Sequence, residues 1–90
     1  MGGSLELATA QQYLSGKGRP RDSAAAATWL WAAVRKENPI AVLLLSQLYL
    51  AGDGVTKNCE QARVLLMSAV RKNVPGAATQ LNNVQAAGCK

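Results

Sequence analysis

Two cysteines, Cys59 and Cys89, are the residues of this chain best suited to covalent chemistry, and they stand 30 positions apart. The rest of the reactive inventory is thin. No His occurs among the 90 residues, which removes the commonest general base at neutral pH and the usual Cys/His metal sets. The acids are Glu6, Asp22, Glu37, Asp53 and Glu60. Asp22 is placed to cap a helix, and the others fall on separate elements without an evident partner for a carboxylate dyad. Gly52-Asp53-Gly54 is glycine-punctuated, but no strand precedes it and no Gly-Lys-Ser/Thr follows, so it reads as a turn needing positive φ and not as a phosphate loop. No catalytic residues, metal or cofactor are expected, and the chain does not read as an enzyme.

The elements that position these residues repeat. Tyr13, Gly16, Gly18, Asp22 and Ala26 recur as Tyr49, Gly52, Gly54, Asn58 and Ala62, each pair 36 residues apart. A fixed period of that size marks a helical repeat. A first helix, capped by Ser4, carries Leu5, Ala8, Ala10, Tyr13 and Leu14 and ends near Ser15, with Gly16 in the left-handed position. Asp22 caps a second helix over 23–37, whose stripe is Ala26, Trp29, Leu30, Ala33 and Val34. Asn38-Pro39 stops one helix and starts a third over 39–51, with Ala41, Leu44, Leu45, Leu48 and Tyr49 on one face. Asn58, with Gln61 three residues on, caps a fourth helix running to about Lys72 and bearing Ala62, Leu65, Leu66, Ala69 and Val70. Pro75 repeats Pro39 at the same 36-residue distance. A fifth helix over 76–87 with Ala77, Leu81 and Val84 closes the chain. Residues 1–4 read as a linker, with units at about 5–38 and 39–74 and a closing helix at 75–90. One-sided helices of this kind bury their faces only by stacking, so the expected fold is an all-α, right-handed αα-solenoid of five helices in the order A-B-A-B-A.

Composition agrees. Ninety residues make one domain with a modest core. Hydrophobic residues are 49% of the chain, yet Phe is absent, and alanine-rich interfaces suit helices packed closely. No apolar run approaches the ~20 residues of a membrane span. The net charge of +5 allows acidic partners or nucleic acid, with a solvated basic surface as the plainer reading. Arg35-Lys36 and Arg71-Lys72 sit at helix C-termini, where dipole complementarity accounts for them. Basic residues interleaved with exposed aromatics, the pattern for nucleic acid, are not evident.

Ala41, Leu45, Tyr49, Gly52, Gly54, Val55, Asn58, Ala62, Leu65, Leu66 and Ala69 resemble the Sel1-like repeat, a relative of the tetratricopeptide repeat. The first unit matches at Tyr13, Gly16, Gly18, Asp22, Ala26, Trp29, Leu30 and Ala33. It departs at Arg19, where the family usually has Val. Leu65-Leu66 stand where aromatics are common, and the Gly that often separates helix B from the next helix A is replaced by Asn38-Pro39 and by residues 73–75. The resemblance implies a binding scaffold without catalytic residues, of the kind found in signalling, envelope or quality-control assemblies.

Three surfaces follow as expectations. In an up-down-up stack, Cys59 at the start of one helix and Cys89 after the end of the next lie at the same end of neighbouring helices. A disulfide there would pin the closing helix, constraining the unfolded chain by roughly 3–4 kcal/mol for a loop of this length. It would also place the protein in a periplasmic or secreted setting. The alternative is two unpaired thiols and a cytoplasmic adaptor. On the A helices, Leu7, Gln11, Leu14 and Leu43, Gln47, Leu50 recur in register, continued weakly by Thr79, Asn83 and Ala86. They form a groove for a peptide or helix, or else they pack between repeats. Trp31 and Met67, equivalent positions roughly opposite the buried stripe, are a candidate outer contact. The expected partner is a protein or peptide and the expected state a monomer. The competing readings are a structural cap of a longer array and, behind it, a nucleic-acid or acidic-partner binder.

Overall fold

The computed structural model of the chain describes residues 2–87. Five α-helices follow one another: α1 (Ser4–Ser15), α2 (Ser23–Arg35), α3 (Pro39–Ala51), α4 (Cys59–Arg71) and α5 (Ala77–Ala86). The substantial contacts all join consecutive helices, α1 with α2 and so on to α5, which is the arrangement of a stacked helical repeat. The body measures 37 × 27 × 17 Å.

Local chemistry sets the helix limits. The Asp22 carboxylate accepts the Ala25 amide at 3.1 Å, and the Asn58 side chain accepts that of Gln61 at 3.0 Å. Asn38 does the same for Ile40 and Ala41, both at 3.1 Å, with Pro39 at the first helical turn. Each such cap satisfies an amide that the helix leaves orphaned and contributes about 1 kcal/mol. Gly16 and Gly52 end α1 and α3 in the left-handed region. At the B-to-A joints, where sequence analysis found no Gly, the left-handed residues are Glu37 (φ 61°) and Asn73 (φ 58°). Ser4 is not a cap: Gly3 precedes α1 at φ 81° without a side-chain cap bond, and Ser4 is the first helical residue. Nor are residues 2–4 a loose linker. Gly3 is buried, and the Gly2 carbonyl accepts the Asn38 Nδ2–H at 3.2 Å.

The core is narrow and built on small side chains. Ala10, Ala26, Ala33, Ala41, Ala62, Ala69 and Ala77 are fully buried, with Leu30, Leu45 and Leu66 as the large groups between them. Alanine at these contacts lets helix backbones approach closely. The expected stripe of α2 needs one correction. Trp29 is 39% exposed, whereas its equivalent Leu65 is 6% exposed. Leu5 is likewise 83% exposed against none for its equivalent Ala41. Unit 2 is covered by unit 1, and the same face of unit 1 has no cover among the described residues.

Candidate binding face and cavity

The glycine turn of unit 2 joins the two units. A Cβ at Gly54 would lie 2.3 Å from the Ser23 carbonyl carbon and 2.6 Å from the Ala24 nitrogen. The turn therefore rests directly on the backbone at the start of α2. Asp53 in this turn accepts from the Arg21 guanidinium at 3.1 Å, and Arg21 Nε–H also donates to the Leu14 carbonyl at 3.1 Å. Ser23 Oγ is buried near the Asp53 carboxylate, outside ordinary hydrogen-bond geometry. That hydroxyl first, and Arg21 second, hold the Asp53 carboxyl below its usual range. Opposite this end, Lys36 pairs with Glu6, lowering the Glu6 carboxyl, while Lys72 reaches Glu37 at 3.3 Å. Arg63 binds Glu60 at 2.7 Å and Arg19 lies 4.7 Å from the Tyr13 ring centroid. These pairs engage Arg21, Lys36, Arg63 and Lys72 but leave the net charge of +5 as it was, and the described residues hold no group of three or more acids or thiols able to bind a metal.

The A-helix row divides. Leu7 belongs to the core, Leu14, Leu43 and Leu50 are half-buried, and Gln11, Gln47, Asn83 and Ala86 are exposed. Leu14 and Leu43 pack against the core cluster. Leu50 instead lines an open surface cavity of about 330 Å³ with Cys59, Gln80, Asn83, Val84 and Ala87. It lies between the end of α3, the start of α4 and one face of α5. Its floor is aliphatic, and Gln80 and Asn83 supply amide donors and acceptors. Leu50, Asn83 and Cys59 were singled out from sequence. Gln80 and Ala87 were not, because neither type nor repeat position distinguishes them until α5 is seated. Cys89 lies outside the described residues.

Trp31 is not an outer residue. It is half-buried against the core, its indole N–H donates to the Tyr49 hydroxyl at 3.2 Å, and the rings meet edge to face at 6.2 Å. It ties helix B of unit 1 to helix A of unit 2. Met67 is 42% exposed, with its Sδ accepting from Arg63 Nη1 at 3.8 Å. The two equivalent positions therefore differ in role: α2 uses Trp31 for the joint, and α4 presents Met67 outward. No helix among the described residues is long and apolar enough to cross a membrane.

No family model matches the sequence, and no curated protein matches it. Solved structures do. A Sel1 repeat protein from Oxalobacter formigenes superposes with a TM-score of 0.86 at 22% identity, over 90% of this chain and 61% of that one. c5321, a protective antigen present in uropathogenic Escherichia coli strains displaying an SLR fold, gives a TM-score of 0.92 at 23% identity, over 97% of this chain and 19% of that one. The chain thus spans about three fifths of the first and about a fifth of the second.

Proposed function

We propose that this chain, a solenoid with the Sel1-like repeat fold, is a protein-interaction module that takes a peptide or short helix along its A helices, with one apolar side chain entering the cavity at Leu50. The observation that carries the reading is the cavity itself. It combines an aliphatic floor with the Gln80 and Asn83 amides, the pairing of apolar contact and a few polar anchors common in ligand sites. The half-buried leucines and exposed Gln47 of the same row extend it along α3.

A random-peptide display library panned on the purified protein supplies the probe. Binders are then titrated against wild type and Leu50→Ser. The expected result is a loss of at least about tenfold in affinity, ~1.4 kcal/mol, with unchanged far-UV circular dichroism. Binders that hold equally well to folded Leu50→Ser would refute the site.

A second reading, a stacking unit within a longer array, is favoured by the uncovered face of unit 1 at Leu5 and Trp29. Its occupant would be another helix pair of the same repeat. Fusing a copy of residues 3–38 ahead of Gly3 should then quench solvent access to Trp29 and raise the melting temperature. No change in either would remove this reading.

A further inference from the structure

Three carboxamides stand one period apart on the A helices. Gln11 of α1, Gln47 of α3 and Asn83 of α5 follow one another at 36-residue steps. All three are exposed, and none of their side chains has a hydrogen-bond partner among the described residues. Core packing explains why Leu7, Leu14 and Leu43 lie beside them, but burial asks nothing of a residue left in solvent. Helix propensity asks little either, since Lys, Arg or Glu would serve such positions as well as Gln and better than Asn. Gln80, one turn before Asn83, adds a fourth carboxamide, half-buried and also without a partner among the described residues. It and Asn83 line the cavity with Leu50.

Charge is kept off the same helices. α3 and α5 hold no charged residue, and α1 holds only Glu6, which is paired with Lys36. The described cations lie instead on α2, on α4 and in the segments that follow α1 to α4. The chain carries a net charge of +5, yet its A helices present amides and leucines with no free charge among them. An acidic ligand would find its counterions on the other helices and in the turns.

We infer that the A helices read the main chain of an extended, uncharged peptide segment, with Gln11, Gln47, Gln80 and Asn83 as its hydrogen-bond partners; the inference rests on the binding reading and names its ligand. A carboxamide offers a carbonyl acceptor and two N–H donors, so each can meet a peptide unit from either side. Extended backbone leaves its N–H and C=O groups open to such partners. An α-helix has already joined its own to one another, except in the turn at each end, so a docked helix leaves most of the row with nothing to bond. Desolvating an amide without replacing its hydrogen bonds to water is costly, which turns the row against a helical or purely apolar ligand. Side chains of an extended segment alternate in direction. Every second one therefore faces the groove, and one of these enters the cavity at Leu50.

The test uses peptides selected on the purified protein from the random library and kept because Leu50→Ser weakens them. Isotope-labelled and bound to the protein, they should show the Cα chemical shifts of extended chain. Methylation of single backbone nitrogens should weaken binding about tenfold at the contacted positions. Gln47→Leu/Asn83→Leu should cause a loss of similar size, whereas Gln12→Leu, at an exposed carboxamide of α1 outside the row, should cause none. Raising sodium chloride from about 0.05 to about 0.5 M should change Kd by less than about threefold. Helical shifts in the bound peptide, equal affinity for Gln47→Leu/Asn83→Leu, or a steep salt dependence would each overturn the inference while the Leu50 site stands. A library that yields no Leu50-dependent binder would remove the binding reading and this inference together.

Discussion

Gly54 and Gly18 provide a controlled comparison that the repeat itself supplies. Both sit at positive φ, 76° and 79°, in equivalent turns. They differ in what surrounds them: a Cβ at Gly54 would meet the Ser23 carbonyl carbon at 2.3 Å and its oxygen at 2.5 Å, whereas at Gly18 nothing lies within 4 Å. Replacement by Ala carries the left-handed backbone cost at both sites, on the order of 1 kcal/mol. At Gly54 the new carbon would also sit roughly 1.2 Å inside the ~3.5 Å optimum for carbon contacts. The obstacle is backbone at the start of α2, which cannot swing aside as a side chain can. The turn must retreat, loosening the Arg21–Asp53 pair and the Ser23 contact, and overpacking of this kind costs a further 1–3 kcal/mol or so. Urea unfolding followed by far-UV circular dichroism should therefore show about 1 kcal/mol lost for Gly18→Ala and about 2–4 kcal/mol for Gly54→Ala. Equal losses at the two sites would refute the close approach of the turn to α2, leaving backbone conformation as the whole effect.

Two further outcomes follow from the joints and the ion pairs. Glu37→Gly should raise the urea midpoint by an amount corresponding to roughly 0.5–1 kcal/mol, because a non-Gly residue at φ 61° is relieved. Asn73→Gly should change it little, since Asn tolerates the left-handed region, and a larger gain at Asn73 than at Glu37 would contradict the explanation. On acidification, Glu6 and Asp53 should cost stability. Lys36 holds the Glu6 carboxyl below its ordinary 4.5, and the Ser23 hydroxyl with Arg21 holds Asp53 below 3.8. Carboxyls depressed in the folded state stabilise it fully above their unfolded pKa values and cease to do so as pH falls through the folded ones. The melting temperature of wild type should fall more steeply below about pH 4 than that of Glu6→Gln/Asp53→Asn, and parallel curves would show that neither pair matters.

The helix limits and the period were legible because their signals are local. Asp22, Asn38 and Asn58 cap by side-chain chemistry, Gly16 and Gly52 stop helices by backbone freedom, and Pro39 starts one. What failed was information about neighbours. Ser4 is a sound cap by type, but the preceding Gly3 adopts the left-handed conformation and carries the chain into the helix one residue earlier in role. Trp29 and Trp31 exchanged expected places because one stripe was assigned to α2. A helix B in a stack has two faces to fill, one against its own helix A and one against the next, and the second takes Trp31 to Tyr49. Glu37 carries no sequence signal for positive φ at all. The cavity needed three helices in place. Leu50 and Asn83 were found from the row, yet Gln80 and Ala87 acquire a role only through the seating of α5.

That helices touch chiefly their sequence neighbours has a consequence for how the chain gains and loses order. Few contacts link distant parts of the sequence, and such topologies fold quickly because little loop entropy is spent before contacts form. The same property divides the molecule into coupled segments, each steadied chiefly by the helices that flank it. Opening should then begin at an end and advance inward helix by helix, and a disturbance at one joint should fade within a single repeat. Amide exchange should be slowest in α2, α3 and α4, whose helices have neighbours on both sides, and fastest at α5.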